Sequence, residues 1–335
     1  MATLGLLLLF VVACASALPA DPVILKYDEN RYQYIRGPDG TPHLEDMWMK
    51  ASDLAGVARY NPDRQNVYHL FTRENPTVSQ PLLVGNEGLL SLTNYDRSRR
   101  TVILLHGWLD TATADFNAVL VPAFLAVEDV NIIVVDWSAG ADTGVYISAV
   151  GNTVTSGESV ARFVNWLNSV TGVTADRYHI VGLGLGGHQA GIIARNVDGE
   201  IAYITALDPA SYGWVLNSNK LRPEDSQYTE VIHTNAGVQG YVGTLGDVDF
   251  YPNSGVNMPG CITPGCDHAR SYFYFAESLV SGGFTGRRCA TTTAAMGGGL
   301  CLASGNLNLG GIEPKTGSSG IYYVRTNSRP PFSRG

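Results

Sequence analysis

Three residues of this chain stand where chemistry could occur: Gly184, Asp208 and His268. Residues 182–186 read Gly-Leu-Gly-Leu-Gly and lie between an apolar run and a predicted helix. This pattern is typical of a nucleophile elbow, whose turn reads G-x-S-x-G and presents the attacking Ser. Gly184 stands at the position of that Ser. The sequence therefore predicts the scaffold of an elbow without its hydroxyl.

Asp208 and His268 follow the turn and supply the groups that assist such a nucleophile. Asp208 ends an apolar run at residues 201–207, and His268 lies just ahead of a predicted helix. In this kind of site a carboxylate orients the imidazole, which then acts as the base. The chain order of elbow, acid and His is the order that the α/β-hydrolase fold requires. We therefore predict that Asp208 and His268 form a pair facing Gly184.

A His-Gly-Trp sequence at residues 106–108 ends another apolar run. In α/β-hydrolases the N–H that follows such a His-Gly pair donates to the oxyanion, together with the N–H that follows the nucleophile. We predict that the backbone N–H groups of Trp108 and Leu185 are these donors.

Other polar residues near strand ends are predicted to be structural. His106 and His188 lie among apolar residues, and His233 lies inside an apolar strand. Asp136 ends a strand, where a carboxylate commonly caps the next helix. We expect these four side chains to form hydrogen bonds rather than to act on a substrate.

The same glycines also match a dinucleotide-binding motif. Gly182, Gly184 and Gly187 fit G-x-G-x-x-G between a strand and a helix, and Asp208 follows about twenty residues later. The unit lies in the middle of the chain, whereas a nucleotide-binding domain usually begins with it. Asp208 is also explained by the role of acid. Dinucleotide binding therefore stays a less favoured alternative.

The elements that position these residues alternate between strands and helices. Continuous apolar runs are typical of central strands covered on both faces. Strands are predicted at residues 67–72, 101–105, 130–135, 178–182, 201–207, 230–234, 247–251 and 321–325, the last at an edge, and helices at 116–127, 156–170, 187–196 and 271–280. This order predicts an α/β protein with a mainly parallel central sheet and helices on both faces. Residues 282–320 are rich in Gly, Thr and Ala and are predicted to be a surface loop.

The N-terminal residues indicate secretion. Residues 1–17 combine an apolar run with a small-residue end, which is typical of a signal peptide, although a buried helix is an alternative. Residues 18–65 are polar and contain several prolines, and we interpret them as an N-terminal extension or a pro-segment. Residues 66–335 are predicted to form the globular domain.

Four cysteines lie beyond the predicted signal peptide. Neighbours along the chain suggest the disulfides Cys261–Cys266 and Cys289–Cys301, which an oxidising compartment would support. Zinc binding is a weaker alternative, because paired C-x-x-C units are missing. No cofactor is expected. The net charge of −8 argues against a nucleic-acid partner, and beyond the signal we find no apolar stretch long enough for a transmembrane segment.

With these motifs the chain resembles the secreted neutral lipases, which include pancreatic-type lipases, insect venom phospholipases and insect yolk-protein relatives. The resemblance covers roughly residues 65–325. It rests on His-Gly-Trp at 106–108, Val-Asp-Trp at 135–137, Gly-His-Gln-Ala-Gly at 187–191, Leu-Asp-Pro-Ala at 207–210, Val-Ile-His-Thr at 231–234, Met-Pro-Gly-Cys at 258–261 and Cys-Asp-His at 266–268. The resemblance implies the α/β-hydrolase fold, with Asp208 as acid, His268 as base and Gly184 at the nucleophile position.

The chain departs from the family pattern at several places besides Gly184. Only four residues separate Cys261 from Cys266, where these lipases carry their lid, so an open cleft is expected. Arg222 replaces an acidic residue in the family's calcium loop, so no structural calcium is predicted. The C-terminal domain with which pancreatic lipases bind lipid surfaces is not expected either.

These departures predict a secreted, catalytically silenced lipase homologue that binds a lipid, ester or amphiphile in an open cleft. One alternative is an active carboxylic ester hydrolase of lipase or phospholipase type that uses water or another nucleophile. A second alternative is a storage protein without a ligand, for which the yolk relatives are an analogy only.

Overall fold

The computed structural model describes residues 31–37, 39–48, 50, 59–298, 301 and 305–335, so the predicted signal peptide at residues 1–17 lies outside the described residues. The strands are β1 Tyr32–Arg36, β2 Pro42–Asp46, β3 Val67–Phe71, β4 Gln80–Leu82, β5 Thr101–Leu105, β6 Asn131–Asp136, β7 Tyr178–Leu183, β8 Tyr203–Leu207, β9 Thr229–Ile232, β10 Val248–Pro252, β11 Thr285–Cys289, β12 Asn306–Asn308 and β13 Gly320–Val324. The helices are α1 Pro62–Gln65, α2 Glu87–Leu90, α3 Asp115–Val127, α4 Ser138–Ala141, α5 Tyr146–Thr171, α6 Leu185–Asn196, α7 Pro264–Val280 and α8 Thr292–Met296.

Across the described ranges, eleven strands form one sheet in the order β12-β11-β13-β10-β9-β8-β7-β5-β6-β3-β4. The strands from β13 to β6 in this order pair in parallel, and the strands at both ends pair antiparallel. The predicted mainly parallel sheet of an α/β-hydrolase fold is therefore confirmed.

The register of the central strands brings the predicted site residues to one edge of the sheet. Leu105 of β5 pairs with Gly182 of β7, and Leu183 of β7 pairs with Leu207 of β8. Parallel strands in register end side by side. The residues that follow β5, β7 and β8 therefore lie next to one another, although they are far apart in sequence.

Helices cover both faces of the sheet because side chains along a strand alternate between faces. Val102 and Leu104 of β5 pack in one core cluster with Phe124 of α3. Ile103 of the same strand packs in a second cluster with Phe163 of α5. Every residue of β5 is buried. The continuous apolar run that predicted a central strand thus reflects two hydrophobic cores rather than one.

Two helices begin well before the predicted positions. Helix α5 begins at Tyr146 rather than at 156, because its first turns bury polar side chains that hide the helical period. One of them, Thr153, donates its Oγ1 hydroxyl to the Ala149 carbonyl at 2.7 Å. Helix α7 begins at Pro264 rather than at 271, and Thr263 caps it by accepting from the Cys266 N–H.

The prediction of a surface loop at residues 282–320 is wrong in part. This range contains β11, α8 and β12, and the Cys289–Cys301 disulfide lies within it. Strand β11 pairs antiparallel with β13, so β13 is not the edge strand that the sequence predicts. The structure also contains the predicted Cys261–Cys266 disulfide.

The segment predicted as an extension is partly folded onto the body. Strands β1 and β2 form an antiparallel hairpin, separate from the large sheet. Ser159 Oγ of α5 donates to Asp63 at 2.7 Å, so packing continues across the predicted boundary at 65/66. Within the described ranges, no helix has both the length and the apolar character needed to cross a bilayer.

Candidate functional site

The turn between β7 and α6 has the geometry of a nucleophile elbow. Gly184 adopts φ 56° and ψ −112°, a region that side-chain-bearing residues occupy only under strain. The turn is also tight, because a Cβ on Gly182 would lie 2.0 Å from the Gly186 carbonyl oxygen. The spacing of glycines in the sequence is therefore a requirement of this sharp change of direction.

Asp208 and His268 form a close pair beside this turn. Asp208 is buried, and its Oδ2 lies 2.6 Å from His268 Nδ1. Its Oδ1 accepts from the backbone N–H groups of Thr234 and Asn235, each at 2.9 Å. These donors fix the carboxylate, and the carboxylate holds the proton of the imidazole on Nδ1. Nε2 of His268 is thus left to accept a proton, as a general base must.

His268 faces the nucleophile position. A Cβ added to Gly184 would lie 3.3 Å from His268 Nε2 and 3.5 Å from Cε1. A hydroxyl carried on that Cβ would be within reach of the imidazole, as the chemistry of a Ser-His-Asp site requires. The three residues that the sequence singles out are therefore brought together, with glycine where the nucleophile belongs.

A cleft of about 320 Å³ opens beside this pair. Trp108, Gly184, Leu185 and His268 all line it, while Asp208 lies behind His268. Leu185 is the first residue of α6, and N–H groups in the first turn of a helix have no acceptor within that helix. The position of Leu185 therefore suits an oxyanion donor, as does that of Trp108 on the opposite loop.

The walls of the cleft are largely aromatic and aliphatic. Phe116, Tyr146, Tyr212 and Tyr272 line it with Trp108. Among the described residues that line the cleft, none is Ser, Thr or Cys. The described lining therefore supplies no Ser, Thr or Cys nucleophile beside His268, and its hydroxyls are the phenols of Tyr146, Tyr212 and Tyr272.

Asp110 is a charged residue of the cleft that the sequence analysis missed. Burial raises the pKa of its carboxyl, while the neighbouring His106 and His268 act in the opposite direction. A carboxylate at this place would oppose the negative charge of an oxyanion. Its position two residues after the His-Gly-Trp motif could have indicated a role in the site, since acidic residues are unusual in a buried loop.

The histidines predicted to be structural make structural contacts. Trp137 N–H donates to His106 Nε2 at 3.2 Å, which ties the loop after β5 to the loop after β6. His188 Nε2 lies 2.7 Å from the Ala210 carbonyl, and Leu221 N–H donates to its other ring nitrogen. Burial lowers the pKa of His188 to about 3. His188 is therefore a neutral hydrogen-bonding residue of the core.

His233 and Asp136 are structural as well. His233 Nε2 lies 2.8 Å from Asp249 Oδ1, and both side chains are buried away from the cleft. Asp136 accepts from the Ser138 N–H at 2.9 Å, but Trp137 is the N-cap residue of α4, so Asp136 is not the helix cap that the sequence predicts.

A guanidinium occupies the loop in which the family resemblance implies calcium. Arg195 Nη1 lies 2.6 Å and 2.5 Å from the two carboxylate oxygens of Asp225, and Arg195 Nη2 donates to the Asn219 carbonyl at 2.7 Å. Carboxylate and carbonyl oxygens are the ligands that Ca²⁺ needs. Across the described ranges, no cluster of three or more His, Cys, Asp or Glu side chains could hold a metal. These residues do not fit calcium.

We predict that Arg195 stabilises this loop by neutralising the buried carboxylate of Asp225. Arg195→Ala should lower the free energy of unfolding by about 3–5 kcal/mol, because it leaves Asp225 buried and unpaired. Arg162→Ala is the matched control, since its pair with Asp63 is exposed and contributes at most about 1 kcal/mol. Urea unfolding measures both. Excess EDTA should leave the wild-type transition unchanged, and a loss of stability in EDTA would contradict the prediction.

Adding a side chain at the elbow should destabilise the fold. Gly184→Ala places a Cβ in a strained backbone region and within 3.3 Å of His268, so we expect a loss of about 1–3 kcal/mol. Gly144→Ala is the control, because nothing lies within 4 Å of its Cβ and its φ is negative. Equal stability of both variants in urea unfolding would show that residue 184 is not strained.

Comparison with known proteins agrees with this geometry. The sequence model of the Lipase family matches residues 45–332. Lipase member H of Xenopus tropicalis is 38% identical over 224 residues, which are 63% of this chain and 48% of that protein. Pancreatic triacylglycerol lipase of Homo sapiens is 35% identical over 251 residues, which are 66% of this chain and 53% of that protein. The chain thus spans about half the length of these relatives. Since the matched range covers more than half of the chain and includes the elbow and the Asp208–His268 pair, the chain belongs to the Lipase family.

Proposed function

We propose that this protein is a catalytically silent member of the Lipase family that binds a lipid, ester or amphiphile in its cleft. The observation that carries the proposal is the position of Gly184 at the tip of the elbow. A Cβ added to Gly184 would lie 3.3 Å from His268 Nε2. Asp208 and His268 pair at 2.6 Å beside it, and Trp108 and Leu185, the predicted oxyanion donors, line the same cleft. An acyl group has no oxygen at this position to which it could be transferred.

The size of the expected defect follows from related chemistry. Loss of the Ser in another Ser-His-Asp hydrolase lowers turnover about 10⁶-fold, which is roughly 8 kcal/mol of activation free energy. A cleft and oxyanion donors alone still give about 10³-fold catalysis over water. We therefore expect only trace hydrolysis from the wild-type protein.

The cleft supports binding of an apolar chain. Its volume of about 320 Å³ lies at the lower end of the range for small-molecule sites, which are mostly apolar with few polar groups. Five aromatic side chains contribute to the walls, and the polar groups of the lining include His268, the first turn of α6, Arg36, Asp39, Asp110 and Asp115. A ligand with one acyl chain and one ester or carboxyl head matches this distribution.

We further propose that the protein is secreted. The small-residue end of the apolar run at 1–17 suits signal cleavage, and the two disulfides suit an oxidising compartment.

One alternative function has a specific observation in its favour. The Asp208–His268 pair is intact at 2.6 Å, so His268 can take a proton from a water molecule beside Gly184. The water would attack the ester carbonyl directly, and the alcohol would leave with a proton returned by His268. Such an enzyme would hydrolyse esters slowly without forming an acyl-enzyme.

Binding of a dansyl-labelled fatty acid tests the proposed function. We expect the wild type to bind it, and Ala114→Trp, which places an indole in the cleft, to weaken binding by about tenfold or more. Ala118→Trp lies one turn further along α3 at an exposed position and should bind like the wild type.

Two results would contradict this proposal. If the wild type does not bind the probe, or if Ala114→Trp and Ala118→Trp bind it equally, the cleft is not the ligand site. If a fluorophosphonate labels the wild type and blocks its ester hydrolysis, an activated nucleophile exists and the protein is not silent.

A further inference from the structure

The hairpin of β1 and β2 forms a wall of the cleft that the short Cys261–Cys266 segment does not provide. Ile35, Arg36, Gly37 and Asp39 line the same cavity as Gly184 and His268. The prediction of an open cleft rests only on the short segment between Cys261 and Cys266, where related lipases carry their lid. In the structure, a segment from the other end of the chain borders the cavity instead.

An apolar side chain anchors this wall. Ile35 is 4% exposed and packs in a cluster with Trp108, Tyr146 and Leu185, which all line the cleft. The edge of the His43 ring meets Trp108 with 5.5 Å between ring centroids. The hairpin therefore lies against residues at the centre of the site, including both predicted oxyanion donors.

Two hydrogen bonds tie the hairpin to the body. Gln239 Nε2 donates to the Arg36 carbonyl at 2.7 Å. The N–H of Tyr146, at the start of α5, donates to the buried carboxylate of Glu45 at 3.0 Å. A carboxylate is favourable at a helix N-terminus. Release of the hairpin would expose this N–H, which makes it a direct reporter of docking.

The hairpin lies outside the large sheet. Among the described residues its strands pair with each other alone, and an isolated two-stranded hairpin is marginally stable in water. The opposite face is open to solvent, where the cross-strand partners Tyr34 and Leu44 are 61% and 51% exposed. The hairpin thus depends for its order on docking against the residues of the cleft.

We propose that this hairpin is a releasable cover of the cleft and that Ile35 limits the ligand to a single apolar chain while the hairpin is docked. Release of the hairpin widens the cleft and admits a lipid with two chains. This inference rests on the proposed function, because it assigns a ligand class to the same cleft. It makes residues 32–46 a determinant of ligand selection rather than a passive extension.

The test compares two neighbours on β1 that face opposite ways. Ile35→Glu should release the hairpin, whereas Tyr34→Glu adds the same charge at an exposed position. The probes are a dansyl-labelled fatty acid and a fluorescent dialkyl-ether glycerolipid, which has two chains and no ester bond. Hydrogen exchange at the Tyr146 amide measures docking, and exchange in β7 checks that the core stays folded.

We expect Ile35→Glu to speed exchange at Tyr146 and to raise the ratio of two-chain to one-chain affinity at least tenfold. Tyr34→Glu should behave like the wild type in both respects. Gln239→Ala removes the hydrogen bond to the Arg36 carbonyl. It should also speed exchange at the Tyr146 amide and raise the ratio of two-chain to one-chain affinity, but by less than Ile35→Glu. It serves as the second releasing variant if Ile35→Glu unfolds.

Distinct results would overturn each claim. If Tyr146 exchange rises while the affinity ratio stays constant, the hairpin does not select the ligand. If neither releasing variant changes Tyr146 exchange, the hairpin is a fixed part of the fold and not a cover. If no variant binds either probe, the proposed function fails, and the inference about the hairpin fails with it.

Discussion

The sharp turn at Gly184 is the constraint on which the rest of the site depends. Its φ of 56° and ψ of −112° send the chain from the central strand β7 into α6 and point residue 184 at His268. A turn this tight needs glycine on both sides, since a Cβ on Gly182 would overlap the Gly186 carbonyl. The scaffold thus keeps a conformation whose usual purpose is to present a nucleophile. Glycine at 184 adopts this conformation without strain and carries no hydroxyl.

The Asp208–His268 pair gives the cleft its polar character even without a nucleophile. Asp208 is buried and has hydrogen-bond partners on both oxygens, so its negative charge is balanced by backbone N–H groups and by the imidazole. Removing either partner would leave a buried polar group unsatisfied, which is costly to stability. The pair can therefore be retained for folding and for holding a polar ligand head. A catalytic role is not needed to explain why the Asp208–His268 pair is present.

The sequence predicts the centre of the molecule well and its margins poorly. Strands β5 and β7 are buried on both faces and are therefore mainly apolar, so their positions follow from the local sequence. Helix α5 begins earlier than predicted because buried Ser, Asn and Thr side chains interrupt its apolar period. The hairpin at 32–46 was missed as structure, although residues 36–40 read Arg-Gly-Pro-Asp-Gly, a strong turn signal. Its contact with the cleft joins residues far apart in sequence, which local patterns do not encode.

The central claim is that a missing hydroxyl at residue 184 silences an otherwise complete site. Turnover of a p-nitrophenyl ester by the wild type, by Gly184→Ser and by Gly184→Ser combined with His268→Ala tests it most directly. We predict that Gly184→Ser exceeds the wild type by about 10³-fold or more and that His268→Ala abolishes this gain. The account would be contradicted if the wild type and Gly184→Ser had equal turnover and the single variant His268→Ala lost it. His268 would then already take part in catalysis without a hydroxyl at residue 184.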